Sequence, residues 1–170
     1  QWRPRSRREW WLVGVGGVFM IAAYHAFLFV GEQGTTSAAA AIVVSLSPIL
    51  TTGFARGLLP DERLTAVGTL GLLVGFVGVG VLSDPDPTNL VDARTLSLGL
   101  VFLASVSFAF GSVLTRRIDA ALPIETMEAW SMLLGALVMH GASAAISESI
   151  SDVQWTGEAL LALGYLVVVA

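Results

Sequence analysis

Few residues in this sequence could do chemistry. His25 and His140 are its two histidines, and each lies in a long apolar run. An imidazole so placed could carry a proton, because its ordinary titration lies closest to neutrality. Both positions also fall about one turn from the end of their runs, so reaching a membrane interface is the plainer reading. Ser105, Ser107 and Ser112 would be the nucleophiles of a serine–histidine membrane protease, but no nucleophile elbow surrounds them. A hydroxyl inside a helix can simply bond its own backbone. Gly14, Gly16 and Gly17 follow no strand and complete no G-x-G-x-x-G spacing, so they do not make a phosphate cradle. The absence of cysteine excludes disulfides and thiolate metal sites. Glu32 lies outside the first apolar run and reads as solvated. The expectation is a protein with no catalytic constellation, no cofactor and no metal site.

A second group of polar residues fits passage better than catalysis. Ser45, Ser47 and Thr51 surround Pro48, and Ser105 and Ser112 share a helical face with Phe102 and Ala109. With Tyr24 and Trp130 they are the candidates for lining a polar solute cavity. Each hydroxyl would serve equally as an interhelical hydrogen bond, and Trp130 as an interface anchor.

The elements that hold these residues are membrane helices. The chain is 55% hydrophobic and only 13% charged. Its mean hydropathy is +0.77, and its charges cluster between apolar runs, which is the pattern of membrane spans. A net charge of −4 argues against nucleic acid as a partner. Residues 1–9 form a basic flank. Residues 10–82 hold three spans: Trp10–Val30, Ala38–Ala55 and Leu64–Leu82. Residues 83–95, rich in proline and aspartate, read as an extracytoplasmic linker. Residues 96–170 hold Leu96–Leu114, Glu125–Ile146 and the start of a span from Gly157. Pro48 removes one helical hydrogen bond and crowds the carbonyl of Val44, so a kink is expected there, with neighbouring hydroxyls bonding the freed carbonyl. Gly68, Gly71, Gly75 and Gly78 fall on one helix face and read as a packing seam rather than a ligand site.

Eight of the nine arginines fall on one side of the alternating turns, in the N-terminal flank and after the second and fourth spans. The positive-inside rule makes that side cytoplasmic and the protein a multi-pass resident of the plasma membrane. The chain begins at Gln1 and stops at Ala170 within an apolar run. An end inside the bilayer would leave backbone groups without partners, so the sequence reads as part of a longer protein.

The run TSAAAAIVVSLSPILTTGFARGLLPDERLTAVGTLGLLVGFVGVGVL resembles the core of the EamA-type drug/metabolite transporter family. The carrying features are a T-S-A start, a run of small residues, a proline-bearing S-L-x-P stretch, a charged turn and a glycine-rich helix. In the turn, Pro60-Asp61-Glu62-Arg63-Leu64-Thr65, Asp61 replaces the family's usual glycine. Phe108 to Arg117 is similar to the first helix of the family's second repeat, and Met132 to Leu137 to its next helix. The resemblance implies an all-α, polytopic helix bundle of two inverted five-helix repeats, of which this chain would hold the third helix to the start of the eighth. It also implies a transporter of small organic solutes or metabolites, working by alternating access within the lipid bilayer. A non-transporting membrane scaffold or assembly subunit is the alternative, and a membrane enzyme comes third. Homo-oligomerisation stays open.

Overall fold

The computed structural model describes residues 2–59, 65–83, 93–149, 151 and 153–168, and every long element among them is an α- or π-helix. The turn at 60–64 and most of the linker at 83–95 lie outside the described residues. The helices are α1 (Arg7–Val15), a π-helical segment (Gly16–Ala23), α2 (Tyr24–Glu32), α3 (Ser37–Val44), α4 (Ser47–Leu58), α5 (Ala66–Ser83), α6 (Ala93–Arg117), α7 (Ile124–Ala145) and α8 (Gly157–Val168). By contact the chain divides into two compact units, Gln1–Met139 and His140–Ala170.

Among the described residues, three helical stretches are long and apolar enough to cross a membrane: Arg7–Glu32, Ser37–Leu58 and Ala93–Arg117. α7 has the length, with 22 residues, but Glu125, Glu128 and His140 dilute its apolar character. α5 and α8 are apolar and shorter, at 18 and 12 residues. The first span begins three residues before the sequence reading places it. The cause is a capping box: the Glu9 N–H donates to Ser6 Oγ, and the Glu9 carboxylate accepts from the Ser6 N–H, both at 3.2 Å.

Within the first unit, α6 is the central element, packed by α1, the π segment and α2 and by α3 and α4. Ala39, Ala40 and Val43 of α3 close on Leu98 and Val101. Leu46 and Leu50 close on Ala109, with Ile49, Phe54, Phe102 and Val106 around them. Small residues permit this. Gly111 admits the π segment so closely that an added Cβ would stand 2.7 Å from Phe19 Cβ. Gly17 and Gly135 let the first span and α7 approach, and a Cβ on Gly135 would lie 2.9 Å from the Gly17 carbonyl oxygen.

The polarity of the core is that of a protein solvated by lipid. Ser105 is 0% exposed, whereas Leu96 and Leu103 on the same helix are 52% and 45% exposed. Water would favour the reverse arrangement. Hydrocarbon makes an exposed leucine costless and drives hydroxyls inward to find partners. The chain is an all-α, multi-pass membrane protein.

Candidate functional site

Both helical spans that pack on α6 from the N-terminal side are interrupted near their middles. In the second, the helix stops at Val44 and restarts at Ser47, with Pro48 in the first turn of the new helix. Proline has no N–H to offer the Val44 carbonyl. Ser47 Oγ donates to that oxygen at 2.7 Å, and Ser45 Oγ donates to the Ile42 carbonyl at 2.6 Å. The expected kink is a two-residue turn whose backbone stays in the right-handed helical region, stitched by the expected hydroxyls.

In the first span, Gly16–Ala23 winds as a π-helix, whose backbone bonds reach back five residues instead of four. Side chains bond its carbonyls. Ser107 Oγ on α6 donates to the Phe19 carbonyl at 2.8 Å. His25 Nδ1 lies 2.7 Å from the Ile21 carbonyl. A carbonyl can only accept, so Nδ1 carries a proton, and in the neutral imidazole Nε2 is the free acceptor. The imidazole also packs against Tyr24 and Phe29, with centroids 4.9 and 5.5 Å away. Just before the π segment, Ser131 Oγ on α7 donates to the Val13 carbonyl at 3.2 Å.

A cavity of about 230 Å³ lies beside this segment, lined by Gly16, Met20, Ile21, Phe108, Met127, Glu128, Ser131 and Met132. Three of the chain's four methionines are here. Thioether side chains are flexible and polarisable and adapt to ligands of varied shape. Ser131 and Glu128 are the polar groups of the wall. The wall is otherwise apolar, with one hydroxyl and one carboxylate set in it.

The seven cavity candidates read from the sequence are spread over α2, the α3–α4 stretch, α6 and α7. Tyr24 packs on the wall residue Phe108 at 5.4 Å between ring centroids. Ser45 is exposed and Ser47 half-buried, each bonded as above. Thr51 Oγ1 donates to the Ser47 carbonyl at 2.7 Å. Ser105 is buried, and its Oγ donates to the Val101 carbonyl at 3.3 Å. Ser112 is half-buried, and its carbonyl accepts from Thr115 Oγ1 at 2.8 Å. Trp130 Nε1 donates to the Trp2 carbonyl at 3.0 Å, and its ring meets Trp10 edge-on at 5.3 Å. None of the seven lines the methionine cavity. Of the glycine seam, Gly75 would meet Leu46 Cδ2 at 2.7 Å, while Gly71 and Gly78 face open space.

Sequence reasoning passed over Met20, Met127 and Met132 because hydropathy treats methionine as filler. In the second unit, His140 is exposed and lines a shallow recess with Ser143, Ala144, Glu148, Ser149, Ser151 and Val153. Among the described residues no group of acidic, histidine or cysteine side chains could hold a metal ion.

Residues 1–84 match the model of the EamA-like transporter family. The chain is 30% identical over 124 residues to an uncharacterized transporter of Archaeoglobus fulgidus, covering 73% of this chain and 43% of the relative. It is 29% identical over 143 residues to the uncharacterized transporter YyaM of Bacillus subtilis, covering 82% of this chain and 45% of the relative. It is 30% identical over 152 residues to the uncharacterized inner membrane transporter YedA of Escherichia coli K12, covering 88% of this chain and 47% of the relative. The chain thus spans somewhat less than half the length of these relatives. No solved structure matches it.

Proposed function

Because the chain belongs to the EamA-like transporter family, we propose that it carries the solute path of a membrane transporter for small organic solutes, operating by alternating access. The observation that carries this reading is the pair of mid-helix interruptions, at Gly16–Ala23 and at Ser45–Leu46, both packed on α6. Carriers bind solutes near the bilayer midplane where helices are discontinuous, and here the interrupted backbone is held by side chains that could exchange places with a ligand. The methionine cavity beside the first interruption is the proposed solute site, with Ser131 and Glu128 orienting the cargo and Tyr24 buttressing Phe108. The hydroxyls of Ser45, Ser47 and Thr51 spend their protons on their own helix. They present lone pairs at the second interruption, where they would line the path as acceptors. Ser105 and Ser112 serve helix packing in this reading.

The two halves of the longer protein would be inverted repeats, with the arginine-rich N-terminal flank cytoplasmic. Family membership favours transport over catalysis. A scaffold role draws on the cross-helix bonds of Ser107 and Ser131, which would hold a bundle together without any cargo.

The test is solute flux into proteoliposomes, screened across amino acids and organic cations. Met127→Trp fills the cavity, and Leu137→Trp, on an exposed position of the same helix, is the control. Saturable flux lost in Met127→Trp and kept in Leu137→Trp supports the reading. Flux for no solute, from folded and oriented protein, favours the scaffold.

A further inference from the structure

A second recess, of about 590 Å³, runs along the outside of the first span. Trp11, Gly14, Val15, Val18 and Phe19 form one wall, and Leu114, Arg117 and Ile118 the other. Arg117 is its one charged residue. Trp11 also borders a neighbouring recess of about 500 Å³, whose other lining residues are Arg7 and Arg8. The two recesses meet at Trp11, with Arg7 and Arg8 on one side of it and the apolar floor on the other.

We propose that this surface is a binding site for one anionic phospholipid, with its phosphate held by Arg117, Arg7 and Arg8 and an acyl chain laid over Gly14 towards Val18. The dimensions fit a single leaflet. Arg7 to Val18 spans eleven residue steps, about 16 Å along a helix axis, and half a bilayer core is about 15 Å. Val18 and Phe19 also sit at the middle of the Arg7–Glu32 span, so the recess leads from the bilayer centre to one interface. Trp11, 67% exposed, stands between the arginines and the apolar floor, at headgroup level. Gly14 leaves room over the floor, with nothing within 4 Å of where its Cβ would be.

The charge selects the headgroup. Guanidinium groups match phosphate oxygens through paired N–H donors. Among the described residues, Arg7, Arg8 and Arg117 have no carboxylate partner, and neither recess is lined by an aspartate or glutamate. The nearby Glu9 carboxylate is committed to backbone N–H groups of Arg5 and Ser6. A zwitterionic headgroup would place a choline among these arginines, whereas an anionic one presents only acceptors to them.

The experiment is native mass spectrometry of the full chain released from nanodiscs of equal phosphatidylglycerol and phosphatidylcholine with matched acyl chains. The expected result is preferential retention of one phosphatidylglycerol. Arg117→Gln should lower that preference about fivefold, the effect of one basic residue at a membrane surface. Gly14→Phe should lower retention of both lipids. Circular dichroism checks the helix content of each variant, and Arg117→Lys, which keeps the charge, should retain most of the preference. Equal retention of the two lipids overturns the proposal, as does a preference unchanged by Arg117→Gln. Retention of neither lipid means that another helix or a second copy covers the recess, and overturns it too. Displacement by millimolar glycerol 3-phosphate would assign the site to a free anion instead of a lipid.

Discussion

Ser107 Oγ on α6 donates across 2.8 Å to the carbonyl oxygen of Phe19, in the middle of a π-helical stretch of the first span. It is a side-chain tie between the central helix and the interrupted one. Ser107→Ala is expected to destabilise the bundle by roughly 0.6 kcal/mol, and at most about 1.7, the range of interhelical hydrogen bonds in lipid. Denaturation in mixed micelles reads the total. Hydrogen exchange should rise selectively at 16–23, and an unchanged exchange rate there would show that the segment is held by packing alone.

Gly111 and Gly99 lie on the same helix and make opposite predictions. A Cβ at position 111 would stand 2.7 Å from Phe19 Cβ and 2.9 Å from Met20 Cγ, whereas position 99 has open space. Gly111→Ala should cost about 1–3 kcal/mol. Gly99→Ala should stay within about 0.5 kcal/mol of the parent. Equal effects in an unfolding titration would contradict the contact of α6 with the π segment.

Ser47 and Pro48 should be energetically coupled. Ser47→Ala leaves the Val44 carbonyl without its hydroxyl donor and should cost about 0.5–1.5 kcal/mol. Pro48→Ala supplies an N–H able to bond that same carbonyl, so Ser47→Ala should cost little in that background. A double-mutant cycle should give a coupling near 1 kcal/mol. Strict additivity would mean that the hydroxyl does not replace the missing N–H. Flux measured on Pro48→Ala then tells whether the interruption itself is needed for transport.

Ser6→Ala removes the hydroxyl of the capping box that begins α1. The expected loss is about 0.5–2 kcal/mol, felt as fraying of the first turn. Hydrogen exchange at 7–10 is the direct readout, and protection equal to the parent would place the helix start elsewhere.

The sequence made some of this legible for reasons that are local. A proline within an apolar run has one consequence for its own backbone, so the interruption at Pro48 and the hydroxyls that mend it follow from four neighbouring residues. The capping box from Ser6 to Glu9 was equally local, but the run of arginines drew the reading towards a mere flank. The π segment was not legible. Gly16 and Gly17 weaken an α-helix in GGVFMIAA but do not specify a π-helix. Its register depends on Gly111 and Ser107 from α6 and Gly135 from α7, which lie far along the chain. The centrality of α6 was obscured in the same way, because in lipid an outward leucine and an inward leucine look alike. The better signal was the pattern of its small residues, since Ser105 and Ala109, placed on one face by spacing, are both fully buried. The cavity escaped because its walls come from three separate helices and its commonest residue carries no polar label.

The π stretch has a mechanical consequence. α1 and α2 are two lengths of a single shaft, and Gly16–Ala23 is the joint that sets their relative phase. Each backbone bond that moved from the fifth residue to the fourth would turn Tyr24, His25 and Phe29 about the axis relative to Trp10 and Trp11. The Ile21 carbonyl would turn away from His25 Nδ1 in the same motion. One end of the span could then rotate against α6 while the other stayed clamped to Trp130, with no bend in the helix. Torsion, unlike tilting, moves side chains past a cavity wall without opening a gap for lipid to fill.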